Sequence, residues 1–549
     1  MIRSGFCKDF FSICIIVLGL VGAMTVTVFA AASSVRNQER ALSVIPKPTR
    51  IHAATGFFTV QSTTRIVLPD SAQETQAVGT YLSDTLSALT GKQIPVVASE
   101  NRGEAGQDII FIRDEKYASQ GAEGYGLLIQ PERVELRAAK PAGWFYGVQT
   151  LRQLIAPFSP EGSGAKTDAA MPCVEIEDQP RYPWRGLTLD CARHFMSKEL
   201  LRRVIDLLAY HKLNVLHLHL TDDQGWRIEI KKYPRLTQIG AYRDEQGKRY
   251  GGYYTQDDLK ELDAYAQSRF ITLVPEFEMP GHASAAIASY PELSCHGRPI
   301  PVVTDWGIFK DIFCPGKEST FQFLEGVLSE ILDTFHGLYI HLGGDEAPRD
   351  NWKACADCQK RIQAEHLAGE HELQSYLIRR VGKFLAAHGR RLIGWDEILE
   401  GGGLPAGTIV QSWRGMEGAM TATKQGQDVI ASPNEFVYFD YPQDEQQAKA
   451  KPDFMQITTL EKVYSFQASP AALSPDQAKH ILGAECAMWT EHAPEDQVDQ
   501  QLFPRLCAFS ETVWSSSENR HWNDFQKRME KHLSRLDALK VRYYSPRPK

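Results

Sequence analysis

Residues 338–346 of the chain read Leu-Tyr-Ile-His-Leu-Gly-Gly-Asp-Glu. A short apolar run that ends in glycine predicts a buried strand that stops abruptly. Asp345 and Glu346 then lie at the carboxyl end of that strand, where parallel α/β folds place their reactive groups. An isolated Asp-Glu pair is more often an acidic surface turn, so the meaning of this stretch depends on the rest of the chain.

Similar apolar runs recur along the chain, and each is followed by polar residues and then by a helical pattern. The eight runs are Gly186–Asp190, Asn214–Leu220, Ile271–Glu276, Leu338–Gly343, Arg391–Trp395, Thr408–Ser412, Asp428–Ala431 and Ile481–Glu485. Strands that alternate with helices predict parallel pairing. Eight such units over this span predict an α/β fold, a (β/α)8 TIM barrel in residues 181–549.

The segment before the barrel has a different pattern. Short β-rich runs such as Arg65–Leu68 and Asp108–Ile112 alternate with helical patterns, and Gly143–Ile155 has one apolar face. These features predict a small α+β domain in residues 42–178. The polar, proline-containing stretch 178–183 marks the boundary with the barrel.

Length and charge limit the class of protein. A chain of 549 residues is too long for one ordinary core. The formal net charge of −8 and the absence of a basic run argue against nucleic acid as a partner.

The first 32 residues form a separate feature. Arg3 and Lys8 precede the apolar run from Phe10 to Ala32, which ends in small residues. This pattern predicts a secretory signal peptide, although the run is also long enough for an uncleaved membrane anchor. Either alternative predicts an extracytoplasmic protein, periplasmic or secreted, with membrane contact only if the segment is retained.

An exported protein can form disulfides, and eight of the ten cysteines follow the signal. Cys295 and Cys314 bracket a loop rich in glycine and proline and are predicted to form a disulfide. Cys355 and Cys358 form a CxxC motif, but with no second CxxC in the sequence a zinc site is not expected.

The residues that follow the eight runs suggest one shared site, since the carboxyl ends of barrel strands lie on one face. They include Arg193, Asp222, Glu276, His282, Asp345, Glu346, Trp395, Trp413, Tyr438, Asp440, Trp489 and Glu491. Scattered surface charge would not collect at the ends of successive strands.

Three chemistries are compatible with this set. A metal-dependent hydrolase would use His217, His219, Asp222 and His282 as ligands. A two-carboxylate glycosidase would need a nucleophile and an acid on opposite sides of the bond, whereas Asp345 and Glu346 are sequence neighbours. A glycosidase whose substrate supplies the nucleophile needs one acid, one orienting carboxylate, a phenol and aromatic walls, and the set contains all four.

Eight stretches of the barrel sequence carry longer motifs: 185–195, 214–227, 275–282, 341–346, 394–397, 411–415, 438–440 and 489–491. In these stretches the barrel resembles the β-N-acetylhexosaminidases of glycoside hydrolase family twenty almost from end to end, and the preceding domain fits the layout of that family.

The resemblance implies a retaining, exo-acting enzyme that removes terminal N-acetylglucosamine or N-acetylgalactosamine from oligosaccharides or glycoconjugates through an oxazolinium intermediate, without a metal or cofactor. Glu346 would be the general acid and base, Asp345 would hold the acetamido N–H, and Tyr438 would bind the acetamido oxygen. The implied relay is Asp222 with His282, and the implied sugar-binding residues are Arg193, Trp395, Trp413, Asp440, Trp489 and Glu491. A non-catalytic glycan-binding relative, the remaining alternative, would lack Asp345, Glu346 or Tyr438.

Overall fold

The computed structural model describes residues 42–99, 107–155, 169–450 and 456–545. The signal or anchor predicted for residues 1–32 therefore lies outside the described residues. The chain divides into two compact units, formed mainly by Pro48–Gln179 and by Pro180–Gln526. Among the described residues, no helix has both the length and the apolar character needed to cross a membrane.

The smaller unit contains a seven-stranded mixed sheet in the order β1-β7-β5-β6-β4-β2-β3. Its strands are β1 Arg50–Thr59, β2 Arg65–Leu68, β3 Val96–Ala98, β4 Asp108–Arg113, β5 Tyr125–Ile129, β6 Val134–Ala138 and β7 Ala170–Asp178. Its helices are α1 Gln73–Thr90, α2 Pro141–Leu154 and a 3-10 segment at Glu115–Gln120. The predicted strands at Arg65 and Asp108 and the predicted helix after Gly143 are all present.

The larger unit is a closed barrel of eight parallel strands, as the sequence predicts. The strands are β8 Trp184–Asp190, β9 Val215–His219, β10 Thr272–Glu276, β11 Tyr339–His341, β12 Arg391–Trp395, β13 Ile409–Ser412, β14 Asp428–Ala431 and β15 Ile481–Met488. Each strand pairs with the next in the chain, and β15 closes the barrel on β8. All eight predicted runs form these strands, with ends that differ by a few residues.

Helices connect and surround the strands. The α-helices are α3 Lys198–Tyr210, α4 Gln256–Gln267, α5 Ser284–Ser289, α6 Glu318–Thr334, α7 Asp350–Ala354, α8 Ala356–Ala364, α9 Glu370–Ala387, α10 Glu417–Lys424, α11 Asn434–Val437, α12 Glu445–Ala450, α13 Leu460–Ser465, α14 Pro475–Ala478, α15 Val498–Leu502, α16 Arg505–Trp514 and α17 Trp522–Ala538. Shorter 3-10 or π segments lie at Leu236–Gly240, Pro291–Leu293, Asp396–Leu399, Glu495–Gln497 and Ser517–Asn519. Two small hairpins pair Thr221–Asp222 with Gly225–Trp226 and Tyr242–Glu245 with Lys248–Gly251.

The barrel interior changes from apolar to charged toward the carboxyl ends of the strands. Val215 and Val274 belong to a buried apolar cluster at the lower level. Side chains two positions apart on a strand share a face, so His217 and Glu276 form the level above. His217 Nδ1 lies 2.8 Å from Glu485 Oε1, and a charged layer therefore underlies the open end of the barrel.

The predicted disulfide between Cys295 and Cys314 is wrong. The eight cysteines within the described residues are all free. Cys314 Sγ lies within 4.8 Å of the sulfurs of three other cysteines and is bonded to none of them; the distance to Cys358 Sγ, for example, is 3.5 Å, whereas an S–S bond is about 2.05 Å. Sequence spacing indicated a loop with two cysteines, but it did not show that Cys355 and Cys358 pack against the same loop.

Candidate active site

A cavity of about 370 Å³ opens at the carboxyl ends of the barrel strands, a size typical of small-molecule sites. Ten of the eleven predicted catalytic and substrate-binding residues line it: Arg193, His282, Asp345, Glu346, Trp395, Trp413, Tyr438, Asp440, Trp489 and Glu491. The eleventh, Asp222, is buried beneath them. Trp306, Tyr441, Gln456 and His492 also line the cavity and were not predicted. Trp306 and Gln456 lie on long loops away from the strand ends, whereas Tyr441 and His492 directly follow the predicted residues Asp440 and Glu491.

The backbone after β11 turns both carboxylates into this cavity. Side chains alternate along a strand, so consecutive residues would otherwise point to opposite faces. The strand ends at His341, and Gly343 (φ +64°), Gly344 (φ +102°) and Glu346 (φ +43°) all have left-handed backbone conformations. Positive φ is easy for glycine and costs a non-glycine residue about 1–3 kcal/mol. The two glycines thus break the alternation and bring Asp345 and Glu346 to one site.

Glu346 and Asp345 are exposed to different degrees. The side chain of Glu346 is 35% exposed at the mouth of the cavity, and that of Asp345 is 15% exposed. Asp345 Oδ1 is buried and has no hydrogen-bond partner among the described residues. A buried acceptor without a partner is costly unless a ligand supplies the donor.

His282 lies between the two carboxylates. Its Nε2 is 3.5 Å from Asp345 Oδ2 and 3.6 Å from Glu346 Oε2. Its Nδ1 is 3.1 Å from Asp223 Oδ2 and 3.3 Å from Asp222 Oδ1. Burial alone would lower the pKa of His282, but the negative charge of Asp222 outweighs it and raises this pKa well above the ordinary value.

Asp222 connects His282 to the opposite wall. Its Oδ2 lies 2.8 Å from an Arg193 guanidinium nitrogen and 2.8 Å from His219 Nε2. Burial would raise the pKa of Asp222, but Arg193 and then His282 hold it well below its usual range. Asp222 is therefore a buried anion that orients two cationic groups of the site, His282 and Arg193.

Four aromatic rings form one side of the cavity. Trp413 and Tyr438 are stacked with 6.3 Å between ring centroids and 16° between ring planes. Trp489 lies 5.9 Å from Trp395 and 6.2 Å from Tyr438. The Trp395 indole N–H donates to Glu276 at 2.9 Å, which locks its orientation. Rigid aromatic faces of this kind suit the apolar face of a sugar ring.

A polar wall faces the aromatic one. The Arg193 guanidinium lies 5.2 Å from the Trp489 ring centroid, and its Nε is buried without a partner among the described residues. Glu491 and Asp440 line the same cavity. Burial raises the pKa of Glu491, and the positive charge of Arg193 opposes this effect. These groups are suited to hydroxyl groups, which donate to carboxylates and accept from a guanidinium.

Two supporting carboxyl groups were missed as site residues, although both lie within stretches that carry the family resemblance. Glu397 accepts a hydrogen bond from the Trp413 indole N–H at 3.0 Å. Burial, followed by the charges of Asp345 and Asp396, raises the pKa of Glu397 to about 8. Glu278 packs against Gly343, where a Cβ would overlap its carboxyl group. Burial and then the charge of Asp345 raise the pKa of Glu278 well above its ordinary value.

The two histidines of β9 that the sequence offered as metal ligands, His217 and His219, contact buried carboxylates. His219 bonds Glu276 through Nδ1 and Asp222 through Nε2. Burial would lower the pKa of His217, but Glu276 and Glu485 raise it to about 9. Burial also opposes protonation of His219, whereas Glu276 and Asp222 raise its pKa to about 10. This layer therefore forms a network of buried charged hydrogen bonds beneath the cavity.

Comparison with known proteins gives consistent matches over both units. Residues 182–517 match the family model for the catalytic domain of glycosyl hydrolase family 20, and residues 41–179 match the model for domain 2 of that family. A β-hexosaminidase of Porphyromonas gingivalis is 38% identical over 96% of this chain and 68% of its own length. One from Akkermansia muciniphila is 34% identical over 79% of this chain and 88% of its own length.

Solved structures are similar over the same extent. A family 20 exo β-N-acetylglucosaminidase from Vibrio harveyi, in complex with N-acetylglucosamine, has a TM-score of 0.81 and 31% identity, covering 92% of this chain and 79% of that one. A β-N-acetylhexosaminidase from Bacteroides fragilis has a TM-score of 0.79 and 32% identity, covering 91% of this chain and 96% of that one.

Proposed function

The chain belongs to glycosyl hydrolase family 20, and from this membership and the site geometry we propose that it is an exo-acting β-N-acetylhexosaminidase. It removes terminal non-reducing N-acetylglucosamine or N-acetylgalactosamine from oligosaccharides or glycoconjugates, with retention of configuration. The observation that carries the proposal is that Asp345 and Glu346, although adjacent in sequence, line one cavity with distinct exposures and with His282 between them.

In this proposal Glu346 transfers the proton. Its position at the mouth of the cavity allows it to reach both the leaving-group oxygen and, later, an incoming water. As an acid it protonates the departing oxygen, and as a base it then activates the water that opens the intermediate. The neighbouring imidazolium of His282 holds the carboxyl group in place.

Asp345 and Tyr438 act on the acetamido group of the substrate. The carbonyl oxygen of that group attacks the anomeric carbon, and a positively charged oxazolinium ring forms as the glycosidic bond breaks. Asp345 Oδ1, which has no partner among the described residues, accepts the acetamido N–H and offsets the charge that develops there. The Tyr438 hydroxyl donates to the carbonyl oxygen and orients it for attack. Such preorganised groups stabilise the transition state because they are already oriented toward the charge that develops there.

The walls select the sugar that binds. Trp395, Trp413 and Trp489 enclose the acetamido methyl and the apolar face of the ring. Arg193, Asp440 and Glu491 bind ring hydroxyls. A missing hydroxyl would leave a buried charged group unpaired, which disfavours other sugars. The related Vibrio harveyi enzyme, solved with N-acetylglucosamine, supports this choice of ligand.

A rival reading is a glycan-binding protein without catalysis. The presence of Asp345, Glu346 and Tyr438 in one cavity favours the enzyme.

Incubation of the protein with defined N-acetylglucosamine oligomers distinguishes an enzyme from a binding protein. We expect stepwise release of single sugars from the non-reducing end, with the β-anomer detected first by NMR. Binding without release, internal cleavage or first formation of the α-anomer would each contradict part of the proposal.

We further propose that the protein is exported, as the sequence of residues 1–32 suggests. Cell fractionation followed by amino-terminal sequencing of the mature protein tests this. Cleavage near Ala32 and recovery outside the cytoplasm are expected, whereas an intact amino terminus in the membrane fraction would indicate an anchor.

A further inference from the structure

Four cysteines from two parts of the larger unit converge into one cluster. Cys295 and Cys314 lie in the connection between β10 and β11, and Cys355 and Cys358 follow β11. Each residue offers one sulfur, and the four sulfurs all lie within 4.8 Å of one another. We propose that this cluster binds a structural zinc ion through four thiolates.

The distances between the sulfurs match a tetrahedral metal site. Zinc–sulfur bonds of about 2.3 Å in a tetrahedron place neighbouring sulfurs about 3.8 Å apart. Cys314 Sγ lies 3.5 Å from Cys358 Sγ and 3.8 Å from Cys355 Sγ. Cys358 Sγ lies 3.8 Å from Cys295 Sγ. Because Cys314 is nearly equidistant from two sulfurs, the cluster does not separate into two disulfide pairs.

The backbone around each pair is arranged for ligation. Cys355 precedes helix α8 and Cys358 lies in its first turn, where the helix dipole favours thiolates. On the other side, an isolated bridge pairs Ser294 with Phe313, which brings their neighbours Cys295 and Cys314 together. A Cβ at Gly316 would overlap the backbone of Cys358, so only glycine allows the two parts to meet this closely.

The surroundings protect the cluster from water. Cys314 and Cys358 are buried, and Cys295 and Cys355 are half-buried. The apolar side chains packed with them include Ile312, Trp352, Ile362 and Leu373. The Trp352 indole N–H donates to the Phe313 carbonyl at 3.0 Å, which joins the same two parts of the chain. A closed shell of four sulfurs is typical of structural rather than catalytic zinc.

The cluster is connected to the active site through the segments that carry its cysteines, but the four cysteines take no part in the proposed reaction. The loop between Cys295 and Cys314 carries Trp306, which lines the catalytic cavity. The segment that carries Cys355 and Cys358 begins a few residues after Glu346. Zinc would therefore tie the Trp306 loop to the segment that follows the general acid. The CxxC motif did not predict this site because its two partner cysteines have 18 residues between them and form no second CxxC.

The test is metal analysis of the full-length protein, purified under reducing conditions without added chelator. We expect about one zinc ion per chain by inductively coupled plasma mass spectrometry. Zinc should be absent from Cys314→Ala and Cys358→Ala, and their Tm should fall by at least about 5 °C. Cys173→Ala, which removes a buried cysteine from the smaller unit, should keep its zinc.

The parent protein alone can overturn the proposal, even if the variants fail to fold. Two disulfides among the four cysteines, detected by mass spectrometry of an unreduced digest, would do so. The proposal would also be overturned if the four thiols were free and bound no zinc after refolding with zinc sulfate. Finding about one iron ion per chain in place of zinc would likewise overturn it. Zinc retained by both Cys314→Ala and Cys358→Ala would place the ion elsewhere.

Discussion

The Nε2 atom of His282 lies 3.6 Å from Glu346 Oε2, so the imidazole of one barrel loop faces the carboxylate of the next loop. The negative charge of Asp222 raises the pKa of His282 well above the ordinary value, so the imidazole side of this contact is positively charged at neutral pH. His282 and Glu346 both have positive φ, at +49° and +43°, in loops whose backbones meet where Gly281 approaches the Asp345 carbonyl. The geometry of the acid thus depends on two adjacent loops.

A first prediction concerns His282 as a positioning residue. His282→Asn should lower kcat/KM by about 10- to 100-fold, because it removes the positive charge between the two carboxyl groups and weakens the charged hydrogen bond to Asp223, and such a bond contributes about 1.5–3 kcal/mol. Since its raised pKa keeps His282 protonated, kcat/KM of the parent protein, measured between pH 5 and 9, should show no inflection near the ordinary histidine pKa of about 6.5. An inflection there that disappears in His282→Asn would contradict the permanent charge. His336→Asn, at an exposed position, is the control.

A second prediction tests Glu346 as the general acid. Glu346→Gln should reduce turnover of an N-acetylglucosaminide with a poor leaving group by about 10²- to 10⁴-fold. The loss should be much smaller for a 2,4-dinitrophenyl leaving group, which needs no proton. Glu325→Gln is a matched control because Glu325 is also 35% exposed but lies on the outer helix α6. Equal losses on both substrates would refute the acid role.

Asp345 gives a third prediction. Asp345→Asn should strongly impair hydrolysis of aryl β-N-acetylglucosaminides, because it removes the charge that balances the oxazolinium ring. The parent protein should hydrolyse the matching β-glucoside poorly, since that substrate lacks the acetamido nucleophile. Efficient turnover of the β-glucoside would exclude substrate assistance and favour an enzymic nucleophile. Asp333→Asn, on the exposed face of α6, controls for charge removal.

The turn at Gly343 supports a fourth prediction. Gly343→Ala should abolish activity and lower Tm, because its Cβ would overlap the Glu278 carboxyl group as well as strain a backbone at φ +64°. Gly389→Ala isolates the strain, since Gly389 has φ +71° and no heavy atom within 4 Å of the added Cβ. In this control variant the free energy of unfolding should fall by only about 1 kcal/mol, and the activity should be unchanged. Similar behaviour of the two variants in Tm and activity would show that the packing against Glu278 is unimportant.

The fifth prediction concerns stability and pH. The pKa of Glu397 is raised to about 8, so this group is protonated in the folded protein where the unfolded chain has already lost the proton. Its contribution to stability is present at low pH and is lost as the pH rises from about 4.5 to about 8. Glu397→Gln, which mimics the neutral acid, should gain stability relative to the parent as the pH rises through this range.

Thermal unfolding at several pH values measures this difference, which we expect to be of the order of 1–3 kcal/mol at pH 9. Glu325→Gln should follow the parent at every pH. A difference in unfolding free energy between Glu397→Gln and the parent that stays constant with pH would contradict a raised pKa of Glu397 in the folded protein.

The sequence by itself determined the barrel. Each strand is a short run with its own apolar pattern, and each is followed by a helix, so local periodicity carried the information. The same regularity placed Arg193, Trp395 and Glu491 at one face, because the carboxyl ends of parallel strands meet there. The glycines before Asp345 also predicted that the strand stops abruptly, and the end of β11 at His341 with the left-handed turn after it confirms this.

Only the tertiary structure decided which groups contact one another across loops. The distance from His282 to Glu346 and the packing of Glu278 on Gly343 depend on how separate loops fold back on the barrel. The predicted Cys295–Cys314 disulfide was wrong for the same reason: sequence spacing brackets a loop but does not show what packs against it. Local pattern specifies an element and its exposed face, whereas long-range contacts follow from the summed packing of the whole chain.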